Sequence, residues 1–157
     1  MKGIDIDQLL VRDVMSSSAV TAKKGETLSE VIARMKKDRL REIPVLEDNK
    51  PVGLVSYSSF LLRSSLPMSA KVEQVMRPAP RLEEDMPVTS AVEEMMASGV
   101  RGAPVVRNNK MVGFVSRTDI IKILPDVDAL KSKRVAEFMT HNPQSVTEKE
   151  SVRKAQM

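Results

Sequence analysis

The sequence predicts a mixed α+β fold: two copies of one βαββα unit, packed sheet to sheet about a pseudo-twofold axis. Three observations predict it. Residues 26–60 lie over residues 86–120 at an offset of 60 with no gap, and ten of the paired residues are identical. Each copy carries one helical apolar stripe, then two short apolar runs joined by a polar turn. A unit of this size also buries too little surface to stand alone, so two copies are expected to cover each other's sheets.

The elements follow in order. "VRDVM" (11–15) opens the first copy, "VEQVM" (72–76) the second, and "VAEFM" (135–139) a third. In the first copy Thr27 and Glu30 form a capping box, and Leu28, Val31, Ile32 and Met35 fall on one helical face. In the second, Pro87 suits a first helical turn, Val88, Ala91, Val92 and Met95 repeat the stripe, and Gly99 can end the helix. "EIPVL" and "GAPVV" read as buried strands. The turns "EDNK" and "RNNK" lead into "PVGLVS" and "MVGFVS", which makes each pair a hairpin. "SSFLLRSS" and "TDIIKIL" close the copies as second helices. The expected organisation is a first repeat over 11–65, a second over 72–124, and the start of a third over 135–157. That third segment begins a repeat without its hairpin, so it is expected to be less stable than the rest and to belong to a longer protein.

Composition excludes several classes. Apolar residues make up 41% of 157, enough for a core, and no apolar run approaches the roughly 18 residues of a membrane span. The start "MKGIDIDQLL" has acids where a signal peptide would be apolar, and the chain has no cysteine; together these read as cytoplasmic. With 25 bases against 21 acids, the net charge of +4 is modest for a nucleic-acid binder. Aromatic platforms for bases are few: Tyr57, Phe60, Phe114 and Phe138. The basic run "RMKKDRLR" suits the end of a solvated helix, with a phosphate-facing role open to Arg41. Catalysis is not expected. The lone His141 reads as a surface turn residue, and no metal-ligand spacing or cofactor motif occurs.

The binding chemistry is concentrated in "GFVSRTD", Gly113 to Asp119, and its counterpart "GLVSYSS", Gly53 to Ser59. A strand ends and a helix begins inside each phrase. Ser116 and Asp119 can simply form a capping box. The same place can also receive phosphate on amides and hydroxyls, while a carboxylate accepts from both hydroxyls of a ribose. The first copy puts Ser59 where the second has Asp119. A neutral hydroxyl is the weaker acceptor and cannot easily take two donors.

With "VxxVM", "IPV/APV" and "GhhSxxD" repeated at fixed distances, residues 11–124 resemble a tandem pair of CBS domains (cystathionine beta-synthase domains), a Bateman module. The resemblance implies a non-catalytic regulatory module that binds AMP, ADP, ATP or S-adenosylmethionine between its repeats, as in energy sensing, with no further cofactor. It implies a first site with Ser116, Thr118 and Asp119 for phosphate and ribose and Phe114 beneath the base. Ser16, Val20, Leu40, Arg41 and Ile43 of the other repeat would lie against adenine, and Arg101 would face phosphate. A second, weaker site would use Ser56 and Ser58 with Pro80, Val100, Arg101 and Ala103. Such modules pair, so a homodimer through the "VEEMMASG" or "SSFLLRSS" helices is expected. A structural dimerisation module without tight nucleotide binding, or a nucleic-acid-binding one, stands as the alternative.

Overall fold

The computed structural model describes residues 5–61, 63 and 65–151. After a short helix α1 (Val11–Val14), the first copy runs β1 (Ala22–Lys23), α2 (Leu28–Lys37), β2 (Glu42–Glu47), β3 (Lys50–Ser56) and α3 (Tyr57–Leu61). The second runs β4 (Leu82–Glu83), α4 (Val88–Ala97), β5 (Gly102–Arg107), β6 (Lys110–Ser116) and α5 (Arg117–Ile123), before a last short helix α6 (Asp128–Lys131). Each copy forms its own three-stranded sheet, ordered β1-β2-β3 and β4-β5-β6, with a parallel first pair and an antiparallel hairpin. The α+β expectation holds.

Local chemistry explains the elements. Thr27 and Glu30 cap α2 reciprocally, as the sequence indicated. Pro87 stands one place before α4, as its N-cap, and Gly99 ends the helix at φ 64°. The hairpins turn on Asp48-Asn49 and Asn108-Asn109, all four at positive φ, the geometry that matches strand twist in a two-residue turn. Val31, Met35, Ile43, Val45 and Val55 are fully buried in one cluster, and Leu82, Val100, Ala103 and Val105 in the other.

The copies are interlocked. The segment that opens each copy packs on the body of the other. The Val11 amide donates to Met86 O and that of Arg12 to Glu84 O, both at 2.9 Å, and Ser16 and Phe114 exchange two bonds at 2.9 Å. In return, Leu54 and Arg77 exchange bonds at 2.8 and 2.9 Å, and the Val72 amide donates to Glu26 O at 2.9 Å. This is why the repeated phrase contains glycine. A Cβ at Gly113 would stand 2.6 Å from the Met15 sulfur, and one at Gly53 2.9 Å from that of Met76. Each methionine of the opening "VxxVM" occupies the space its glycine leaves. The third opening segment has no such cover here: Val135, Phe138 and Met139 are exposed. Residues 152–157 of the expected third repeat lie outside the described residues.

Candidate functional site

Two cavities open where the copies meet, one beside each repeated phrase. The larger, about 620 Å³, lies within the usual size range of small-molecule sites. One wall is the β6–α5 junction. Ser116 ends the strand in extended backbone and caps α5: its Oγ accepts from the Asp119 amide at 3.4 Å, while Asp119 Oδ2 accepts from the Ser116 amide at 2.9 Å and from its hydroxyl at 2.6 Å. The capping box is therefore formed, and it engages one carboxylate oxygen. Among the described residues the other, Oδ1, faces the exposed Lys122 ammonium at 3.6 Å, a weak surface pair. Asp119 keeps an acceptor for a ligand hydroxyl beside the exposed Thr118.

The opposite wall comes from the first copy. Ser16 and Val20 lie on the stretch between α1 and β1, and Leu40 and Arg41 on the stretch between α2 and β2. Phe114 lies between the walls, and Gly102 makes room for it. A Cβ at 102 would stand 2.4 Å from the ring. The ring thus lies close against the Gly102 backbone, and both line the cavity.

Nine of the ten residues expected at this site line the cavity: Ser16, Val20, Leu40, Arg41, Arg101, Phe114, Ser116, Thr118 and Asp119. Ile43 does not. It points into the first copy's core with no exposed surface, because alternation along β2 turns it inward. Sequence reasoning missed Arg39, Arg117, Glu42 and Gly102, which also line the cavity. Glu42 left a signal, a carboxylate at the start of a buried strand whose counterpart is glycine.

Glu42 explains the second cavity, about 270 Å³, lined by Ser56, Tyr57, Ser58, Arg77, Arg41 and Arg101 as well as Glu42 and Gly99. The Glu42 side chain accepts from the amides of Arg101 and Gly102 at 2.9 Å each, and from Arg77 Nη2 at 3.0 Å. Arg77 stands opposite Leu54 as Ser16 stands opposite Phe114, so it is the counterpart of Ser16. Where the first cavity has serine and glycine, the second has an arginine–glutamate pair that narrows the space. The expected second set is corrected accordingly. Ser56, Ser58 and Arg101 line this cavity, whereas Val100 and Ala103 are fully buried in the core and Pro80 lines neither cavity. Ser59 is buried, its hydroxyl accepting from the Ser56 amide at 3.2 Å.

The difference between the cavities thus has two causes, the missing carboxylate and the narrowing pair. Ser59→Asp alone restores the carboxylate but leaves the pair in place, so the number of ligand molecules bound per chain is expected to stay unchanged, whereas combining it with Glu42→Gly and Arg77→Ser raises it by up to one. Titration calorimetry checks this. A second site in the single variant would show that the ion pair does not block the cavity.

The family model for the CBS domain matches residues 11–65 and again residues 72–126. An uncharacterized protein of Methanocaldococcus jannaschii is 32% identical over 149 residues, covering 92% of this chain and 35% of that protein. One of Methanopyrus kandleri is 25% identical over 145 residues, covering 88% and 71%. The chain therefore spans about a third of the length of the first relative and most of the second. Among solved structures, the CBS domain pair of protein MJ0100 in complex with 5-methylthioadenosine and S-adenosyl-L-methionine aligns with TM-score 0.65 at 25% identity, over 73% of this chain and 98% of that one. A CBS-containing protein of Thermotoga maritima aligns with TM-score 0.65 at 22% identity, over 74% and 94%.

Proposed function

The chain belongs to the CBS domain family, and from that premise we propose that it is a regulatory module that binds an adenosine-containing ligand in the cavity beside Asp119. One observation carries the reading: a cavity of about 620 Å³ between the repeats brings the Asp119 carboxylate, the Ser116 and Thr118 hydroxyls and the Phe114 ring together. Adenine rests on Phe114 and the apolar Val20 and Leu40. The ribose is held by Asp119. Phosphate meets Ser116, Thr118 and the arginines at the rim. The adenosyl compounds bound to the MJ0100 pair support the nucleoside part of this assignment.

Charge selects among adenosyl ligands. Arg39, Arg41, Arg101 and Arg117 line the cavity against Asp119 and a Glu42 already engaged by Arg77 and two amides. That balance favours an anionic tail over the sulfonium of S-adenosylmethionine. A thermal-shift panel of AMP, ADP, ATP and S-adenosylmethionine tests it. A ligand at a hundred times its dissociation constant stabilises by about 2.7 kcal/mol. The nucleotides are expected to raise the melting temperature and the sulfonium to raise it less. No shift with any of the four would remove the reading in favour of a dimerisation module.

Regulation follows from the position of the cavity between two bodies: a ligand that touches both stabilises one relative angle over others. The module would transmit that angle through pairing. Leu61 on α3 and Met96 on α4 are 77% and 66% exposed, and Met adapts well to interfaces. Light scattering at tens of micromolar is expected to give twice the chain mass. A monomer mass would remove this route.

A further inference from the structure

The geometry points to the second cavity as a phosphate site in its own right rather than a diminished adenosine site. Arg41, Arg77 and Arg101 converge on it with the Ser58 hydroxyl and the Tyr57 side chain, and among the described residues that line it Glu42 alone is a carboxylate. That carboxylate is committed, since Arg77 Nη2 and two backbone amides donate to it. Among the described residues, the side chains of Arg41 and Arg101 have no hydrogen-bond or ion-pair partner. Arg77 holds its Nε buried with no acceptor. An unmet buried donor is costly, and an anion beside the guanidinium would supply the missing acceptor. Two uncompensated guanidinium groups facing one small polar space favour a multivalent oxyanion, which arginine binds through paired N–H groups.

Lining, more than size, turns this cavity away from a nucleoside. At about 270 Å³ the cavity is less than half the size of the first, at about 620 Å³. The counterpart of Phe114 is Leu54, which has no exposed surface, so the bed that Phe114 provides in the first cavity is missing here. The counterpart of Asp119 is Ser59, buried and engaged with Ser56, so there is no ribose acceptor. What remains is the part of a site that recognises phosphate. Arg41 and Arg101 line both cavities, so the phosphate can be a separate inorganic anion or the terminal phosphate of a nucleotide seated beside Asp119. Only the second source depends on the adenosine assignment above.

The test is calorimetry of the full chain with inorganic pyrophosphate. One equivalent is expected to bind, unchanged in Asp119→Asn and weakened at least tenfold in Ser58→Asp, which sets a carboxylate on an exposed position facing the arginines. Arg77→Gln is expected to weaken it too. Because that variant leaves Glu42 without its ion-pair partner, Ser58→Asp keeps the result decisive if Arg77→Gln does not fold. Repeating the titration in saturating AMP and then ATP separates the sources. Pyrophosphate admitted with AMP and excluded by ATP identifies a nucleotide's terminal phosphates as the occupant, and pyrophosphate admitted with both identifies a free anion. Pyrophosphate binding in a protein that takes no nucleotide would sink the adenosine assignment and leave this one standing. No binding at millimolar concentration, or binding equal in wild type and Ser58→Asp, overturns the inference.

Discussion

Asp119→Asn will weaken binding of an adenosine nucleotide roughly ten- to a hundredfold, while the protein keeps its fold. The magnitude follows from losing a charged acceptor, about 1.5–3 kcal/mol for hydrogen bonds to an ionised group, with each tenfold in affinity worth about 1.4 kcal/mol. The structure makes asparagine the informative substitution. Asp119 Oδ2 already accepts from the amide and hydroxyl of Ser116, so Asp119→Ala removes a helix cap as well as a ligand contact. Loss of a cap costs about 1 kcal/mol of stability and would obscure the reading. Asparagine retains one side-chain oxygen for the Ser116 amide and gives up the charge and the second acceptor, the one a ribose diol needs. Calorimetry alongside a melting curve separates the two contributions. Affinity unchanged in both variants, with only the melting temperature lowered in Asp119→Ala, would reduce Asp119 to a capping residue.

How much of this was legible follows the range of the interactions. The helices, hairpins and caps were readable because their determinants are local. Thr27 and Glu30 are three residues apart, and each hairpin turn is two residues with positive φ. The first cavity was readable through resemblance, and the one residue misplaced there, Ile43, shows the limit. Position beside Pro44 put it near the site, but the strand's alternation turns it into the core. The interlocking was not legible. Nothing local says that Met15 fills the space at Gly113, although glycine in the middle of an apolar strand is the trace such a close approach leaves. The narrowed second cavity was legible only in half. Ser59 in place of an aspartate is visible in one copy set over the other. The bond from Arg77 to Glu42 joins residues 35 apart in the chain and belongs to neither copy's own pattern.

Glu42→Ala is expected to be among the more destabilising single substitutions at a polar position. The carboxylate is 6% exposed and meets two amides and a guanidinium. Removing one partner of a buried charge pair costs about 3–5 kcal/mol, because what remains is buried and unpaired. Arg77 is 35% exposed, so water can take over part of its charge, and the loss belongs near the low end of that range. The amide of Gly102 has no such relief, since Gly102 is buried. At about 3 kcal/mol, the melting temperature of a chain of this size falls by roughly 6–12 °C. Glu42→Gln should lie between wild type and alanine, since an amide oxygen still accepts from a backbone N–H but offers Arg77 no charge. Glu47→Ala is the control. It removes an exposed partner of Lys24 at 3.4 Å and should change stability by no more than about 0.5 kcal/mol. Chemical denaturation of the three variants checks the order. Glu42→Ala as mild as Glu47→Ala would mean that the pair neither holds the two copies together nor sets the width of the second cavity. Both the single-site stoichiometry and the phosphate assignment would then need another cause.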